Sequence, residues 1–283
     1  MSVDKLEQLR KLVRSCQSCL VAYSGGVDSV FLARVAWDVL GERMLAVVAD
    51  SPSLPRRELQ EALEIGSRFG FPVRVIQTAE FSNPGYLSNP TNRCYFCKHE
   101  LFTKLEPLAR AEGFKVIAYG ENASDVGDYR PGAQAAAEFQ IRAPLKEVGL
   151  TKTEIRELSA RLGLPTAEKP QMACLSSRIP YGEPVTPEKL RMIEQGESVL
   201  RNLGFHDVRV RHHELKQGHL ARIEVGPSEL LRFLDALRSE TVTAALKRIG
   251  YLHVTVDLQG YRRGSLNEGG LSQMSEAALK PPP

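Results

Sequence analysis

Nowhere does the sequence hold an apolar run near the roughly 18–20 residues that a membrane-spanning helix requires, so no membrane partner is expected. A strong charge of one sign is also lacking. Its 37 basic and 34 acidic residues leave a formal charge of +3, which argues for no nucleic-acid partner yet would not repel a phosphorylated small molecule. Cysteine is scarce. Five in 283 residues do not make a disulfide scaffold in an intracellular chain and direct attention to metal or sulfur chemistry. Residues 1–17 are charged and lack the apolar core of a secretory signal, so a cytoplasmic location is the expectation. Two phosphate motifs are missing as well, the Gly-rich loop ending in Lys-Ser/Thr and G-x-G-x-x-G.

What is present begins with Tyr23-Ser24-Gly25-Gly26-Val27-Asp28-Ser29, between the apolar run Leu20-Val21-Ala22 and a helical pattern from Val30 to Leu40. A buried strand, a glycine pair and a helix start together make an anion site from backbone alone. The glycines admit a phosphate closely, and the first helical N–H groups have no internal partner. Ser24 and Ser29 add hydroxyls at the two ends. The competing reading is an ordinary strand–helix turn capped by Ser24 or Asp28.

Further along, Met44–Ala49, Val73–Ile76 and Val116–Tyr119 read as buried strands, with helices at Arg56–Phe69 and His99–Glu112. This alternation predicts an α/β fold, an open parallel sheet with helices on both faces whose ligand edge is the carboxyl ends of its strands. Thr151–Leu162 is a helix with Thr151 and Glu154 as a capping box. The domains expected are residues 1–165, a linker 166–184 carrying Cys174, an α+β domain 185–268, and a disordered tail 269–283. In the α+β domain, helices are read at Thr186–Leu203, Pro227–Leu237 and Val242–Ile249, and strands at Val208–His212, His219–Val225 and Leu252–Leu258.

Three further groups carry chemistry. Gly120 to Gly132 is a polar, glycine-rich loop just past the fourth strand. Cys94-Tyr95-Phe96-Cys97, at the end of a long loop from about Gln77, places two thiolates close enough for one metal centre. Cys16-x-x-Cys19 leaves a four-cysteine zinc site open as an alternative. Arg209 and Arg211 alternate onto one face of a strand, either as solvated surface or as a phosphate clamp.

The S-G-G-x-D-S string resembles the PP-loop of the ATP pyrophosphatases. Together with the Asp125-x-x-Asp128-Tyr129-Arg130-Pro131-Gly132 and Ser177-Arg178-x-Pro180-Tyr181-Gly182 strings, the chain from about residue 10 to 268 resembles the LarE family, the sulfur insertases of nickel-pincer cofactor synthesis. The resemblance implies that Ala22, Ser24, Gly25, Gly26, Asp28, Ser29, Gly120, Asn122, Asp125 and Arg130 bind ATP and Mg²⁺. It implies that Cys174, with Asp28, Ser177 and Arg178, carries the chemistry, and that Arg209, Arg211 and Arg262 meet the substrate phosphate. Cys94, Cys97 and Cys174 match the members with a [4Fe-4S] cluster, whereas members without the C-x-x-C sacrifice the sulfur of the Cys174 counterpart and work once. Glu197 and Glu224 match acidic positions proposed to bind a divalent cation, with Arg232 standing where a further acid is found. The implied substrate is pyridinium-3,5-biscarboxylic acid mononucleotide, the implied sulfide source a partner such as a cysteine desulfurase, and the implied assembly a homo-oligomer. The alternatives are a cluster-type tRNA thiolase, an amidotransferase-like synthetase, for which the length leaves no glutaminase domain, and a nucleotide binder without activity, which leaves Cys174 unexplained.

Overall fold

α1 (Ser2–Ser15) leads into β1 (Cys19–Ala22), and α2 (Val27–Leu40), β2 (Met44–Asp50), α3 (Arg56–Phe69) and β3 (Val73–Gln77) follow in alternation. After a short α4 (Pro84–Leu87), the long α5 (Arg93–Glu112) returns the chain to β4 (Val116–Tyr119). The computed structural model describes residues 2–125, 131–170 and 173–262. Within them α6 (Pro131–Glu138), α7 (Pro144–Glu147) and α8 (Lys152–Arg161) complete the first of two compact units, Met1–Leu87 with Thr91–Ala173.

The strand order is β3-β2-β1-β4 and every pairing is parallel. Cys19 and Val21 of β1 join Met44, Ala46 and Val48 of β2 in a core with Leu9, Val30, Ile65 and Leu158. Leu20, Ala22, Leu45 and Val47 point the other way, to Phe102, Leu105 and Ala135. Both faces are therefore covered, which is why these strands read as unbroken apolar runs rather than alternating ones. The chain steps outward from β1 through β2 to β3 and then returns to the other side of β1. The crevice between β1 and β4, beyond their carboxyl ends, is thus a topological switch point.

The second unit, Ser88–Pro90 with the chain from Cys174 onward, has its own core. It holds α9 (Pro187–Asn202), β5 (Val208–Leu215), β6 (Gly218–Val225), α10 (Leu230–Phe233), α11 (Ala236–Ile249) and β7 (Tyr251–Val256). β5 and β6 are antiparallel, and β7 lies parallel to β6 on its far side. Val208, Val210, Ile223 and Val225 pack against Leu200, Phe205, Val242 and Leu246.

Two elements differ from expectation. The helix expected over Pro227–Leu237 is broken, because Asp235 takes an extended conformation (φ −55°, ψ 131°) and caps α11, which begins at Ala236. The C-x-x-C belongs to a helix and not to the end of a loop. α5 begins at Arg93, six residues before the expected start. The capping box at Thr151 and Glu154 is formed. Among the described residues no helix is long and apolar enough to cross a membrane.

Candidate active site

The chain leaves β1 at Ala22 and enters α2 through Gly25 and Gly26. Gly25 has a φ of +70°, and a Cβ there would lie 2.8 Å from Ala62 Cβ on α3, so the position is closed to a side chain on both counts. Gly26 is the N-cap of α2 and offers no side-chain hydrogen bond. The first amides of a 14-residue helix are left facing the carboxyl edge of the sheet, where the helix dipole favours an anion. Ser29 Oγ accepts from Ser24 N at 3.1 Å, lies 3.1 Å from Ser24 Oγ and donates to Gly26 O at 3.2 Å, which ties the loop closed.

Gly120, just past β4, completes the crevice. A Cβ there would meet Ser29 N at 2.8 Å and Asp28 C at 3.0 Å, so the backbone after β4 lies directly on the first turn of α2. Between these loops is a cavity of about 110 Å³, lined by Ala22, Ser24, Gly26, Asp28, Ser29, Lys98, Tyr119 and Gly120. Six of these eight were expected from the sequence to bind nucleotide. Lys98 and Tyr119 were not.

Lys98 is on α5, directly after Cys97. Its Nζ stands 5.3 Å from the centre of the Tyr119 ring and 5.6 Å from that of Phe102. Burial pushes its pKa below the usual lysine value, against the pull of Cys97, Cys94 and Glu121. The readable signal was the spacing. In C-x-x-C-K the lysine falls one helical turn after the first cysteine.

Asp28, in the first turn of α2, receives Lys152 Nζ at 2.7 Å on Oδ2, while its Oδ1 is buried without a hydrogen-bond partner. Burial raises its pKa, and the Lys152 contact opposes the rise. Asn122 donates to Asp125 from both its backbone and its side chain, at 3.2 and 3.0 Å. No sequence signal singled out Lys152, nor Lys169, which meets Glu58 at 2.7 Å and Gly25 O at 3.3 Å and so anchors the loop. Asp128 and Arg130 lie outside the described residues.

In the second unit Cys174 is exposed and opens a 3₁₀ turn over Leu175–Arg178. The Cys174 carbonyl accepts from Ser177 N at 3.0 Å, Ser177 Oγ at 2.7 Å and Arg178 Nη1 at 2.8 Å. Asn89, from the Asn89-Pro90 turn, is buried and holds the chain after this turn by donating to Pro180 O at 2.7 Å. Arg209 and Arg211 are not solvated surface, since each is only 5% exposed. Arg209 lies over the Tyr261 ring at 4.6 Å and forms no ion pair among the described residues. Arg211 is paired with Glu224, and Glu197 with Arg178 and Arg201. The two acids expected to face a divalent cation therefore face arginines. Arg232, in place of a further acid, donates to Leu203 O and Gly204 O. Arg262 is at the end of the described chain.

The cysteines divide by environment. Cys16 and Cys19 are buried, and burial raises both thiols, that of Cys19 to about 12, which leaves them protonated and inert. Cys94 and Cys97 share a face at the start of α5, exposed and half-buried respectively. Among the described residues no three His, Cys, Asp or Glu side chains are arranged around one point to hold a metal ion.

No protein-family model matches the chain. It is 45% identical over 267 residues to an uncharacterised protein of Synechocystis sp., covering 94% of this chain and 98% of that protein. It is 33% identical over 257 residues to the pyridinium-3,5-bisthiocarboxylic acid mononucleotide synthase of Lactiplantibacillus plantarum, covering 90% and 91% of the two chains. One of the subunits of the glutamine-hydrolysing GMP synthase of Pyrococcus abyssi is 25% identical over 218 residues, 70% of this chain and 68% of its own.

Proposed function

The chain belongs to the LarE family, that of the pyridinium-3,5-bisthiocarboxylic acid mononucleotide synthase, and from that premise we propose that it is an ATP-dependent sulfur transferase acting on a carboxylate of a pyridinium mononucleotide. The observation that carries the reading is the cavity at the β1–β4 switch point, where the amides of the Ser24–Ser29 loop, the start of α2 and the Lys98 ammonium face one small space. That is a site for a polyphosphate.

In the reaction, a substrate carboxylate oxygen bonds to the α-phosphorus of ATP, and the bond to the β-phosphate breaks to release pyrophosphate. The loop amides and Lys98 stabilise charge building on the phosphate oxygens. Mg²⁺ fits beside them, because Asp28 Oδ1 is a buried carboxylate oxygen without a partner and would be its ligand, assisted by Asp125. Sulfur then bonds to the acyl carbon and AMP leaves with the carboxylate oxygen, giving a thiocarboxylate. Arg209, buried and without a carboxylate partner among the described residues, is the residue best suited to the substrate's own phosphate, with Arg262 as a second.

The sulfur source in this reading is a [4Fe-4S] cluster on Cys94, Cys97 and Cys174, whose thiols are at least partly accessible while Cys16 and Cys19 are not. When bound, such a cluster supplies an iron with an open position at which sulfide is held. The sulfide would be delivered by a partner protein. Anaerobic purification with measurement of iron, acid-labile sulfide and zinc tests this. About four irons per chain in the wild type, lost in Cys174→Ala, is the expected result. Zinc without iron, unchanged in that variant, would overturn the cluster and leave Cys174 as a sacrificial donor.

A further inference from the structure

The second unit contains two arginine–carboxylate forks that the reaction as described does not use. Arg178 turns Nε and Nη2 to the two oxygens of Glu197, at 2.8 and 3.2 Å. Arg211 turns the same edge to Glu224, at 2.9 and 2.7 Å. In each case the remaining nitrogen, Nη1, donates to a carbonyl of the turn that begins at Cys174. Arg178 Nη1 reaches Cys174 O at 2.8 Å, and Arg211 Nη1 reaches Ser177 O at 2.8 Å. Arg178 Nη1 also lies 3.1 Å from Ser177 Oγ, which itself donates to Cys174 O. One guanidinium geometry is thus used twice, on two carbonyls three residues apart.

The carboxylates in these forks are saturated. Glu197 is fully buried, and besides Arg178 it accepts from Arg201 Nη2 at 2.8 Å and from Val210 N at 3.3 Å. Burial opposes its charge, but Arg178, Arg201 and Arg209 overcome that and hold the carboxyl below the usual range. Glu224 is also buried and has Arg222 at 3.4 Å as a second cation. A divalent ion at either acid would have to displace a bidentate guanidinium and leave it buried without a counter-charge, which is strongly unfavourable. The acids are spent on the arginines, and the arginines on the cysteine turn.

We propose that Glu197 and Glu224 are positioning residues for Cys174: each holds an arginine whose outer nitrogen fixes one carbonyl of the Cys174–Arg178 turn, and neither is a divalent-cation ligand. The turn's backbone sets the direction in which the Cys174 thiol projects, so the forks fix that thiol at two points. The inference rests on the reading that Cys174 handles sulfur.

The test uses full-length protein as wild type, Glu197→Gln and Arg211→Lys. The first weakens one fork at nearly constant shape, and the second keeps the positive charge but loses the fork. Hydrogen exchange of the peptide spanning Cys174–Arg178 is expected to speed up on the order of tenfold in each variant, with the β1 and β2 peptides unchanged. The kcat for pyrophosphate release should fall on the order of 10²-fold with the KM for ATP unaltered. Mn²⁺ binding measured without ATP should be the same in all three proteins. If Glu197→Gln does not fold, Arg211→Lys decides by the same readouts. Unchanged exchange and kcat in the folded variants, or Mn²⁺ bound by the wild type and lost in Glu197→Gln, would overturn the proposal. Failure of the sulfur-transfer reading would register separately, as absent thiocarboxylate in the wild type while the exchange response persists.

Discussion

His212 is fully buried on β5, with Nδ1 3.3 Å from Tyr251 OH, its ring 4.7 Å from that of His219, and Nε2 without a partner. Burial, then His219 and Lys189, push its pKa from 6.5 to about 4, against the pull of Glu214. The unfolded chain therefore binds a proton here that the folded chain refuses. The resulting stability is fully present above 6.5 and is lost as pH falls toward 4. Burial lowers His213 in the same direction. The loss should be on the order of 2 kcal/mol, seen as falling urea midpoints between about pH 8 and pH 5, and the slope should be shallower in His212→Gln. Equal slopes in the two proteins would contradict this. At Gly120 a methyl group would press on Ser29 N and Asp28 C, which are backbone and cannot swing aside. Gly120→Ala should cost about 2 kcal/mol and weaken ATP binding on the order of tenfold, checked by thermal melts with and without nucleotide.

At the scale of elements, the strands and the loop after β1 were legible, because an apolar run covered on both faces and a glycine pair leave a direct mark on composition. The start of α5 was not. Its first turn is Arg93-Cys94-Tyr95-Phe96, which has no apolar periodicity and no side-chain cap at Asn92, so nothing local marks the boundary. That displacement matters, because it puts Cys94, Cys97 and Lys98 on one rigid element whose lysine lines the nucleotide cavity. Lys98→Met keeps the buried stem and removes the charge. Pyrophosphate release should drop on the order of 10²-fold with the melting temperature nearly unchanged. A matching fall in melting temperature would instead make Lys98 a packing residue.

At the scale of the molecule, family membership and the parallel sheet of the first unit, covered on both faces, agree on an ATP-using enzyme. What no spacing rule could supply is the pairing of Arg178 with Glu197 and of Arg211 with Glu224, 19 and 13 residues apart and joined only by the fold of the second unit. The sequence distinguished the arginines as a strand face, but not that one is committed to a carboxylate and its neighbour Arg209 is not. Arg130 and the run Gly264–Asn267, expected near nucleotide and substrate, lie outside the described residues. The most direct measurement is of pyrophosphate and thiocarboxylate together, with anaerobically prepared protein, sulfide, ATP, Mg²⁺ and pyridinium-3,5-biscarboxylic acid mononucleotide. One pyrophosphate per oxygen replaced by sulfur, with neither product when the mononucleotide is omitted or replaced by tRNA, is the outcome expected. Pyrophosphate release that ignores the mononucleotide, or that is driven by tRNA, would contradict it.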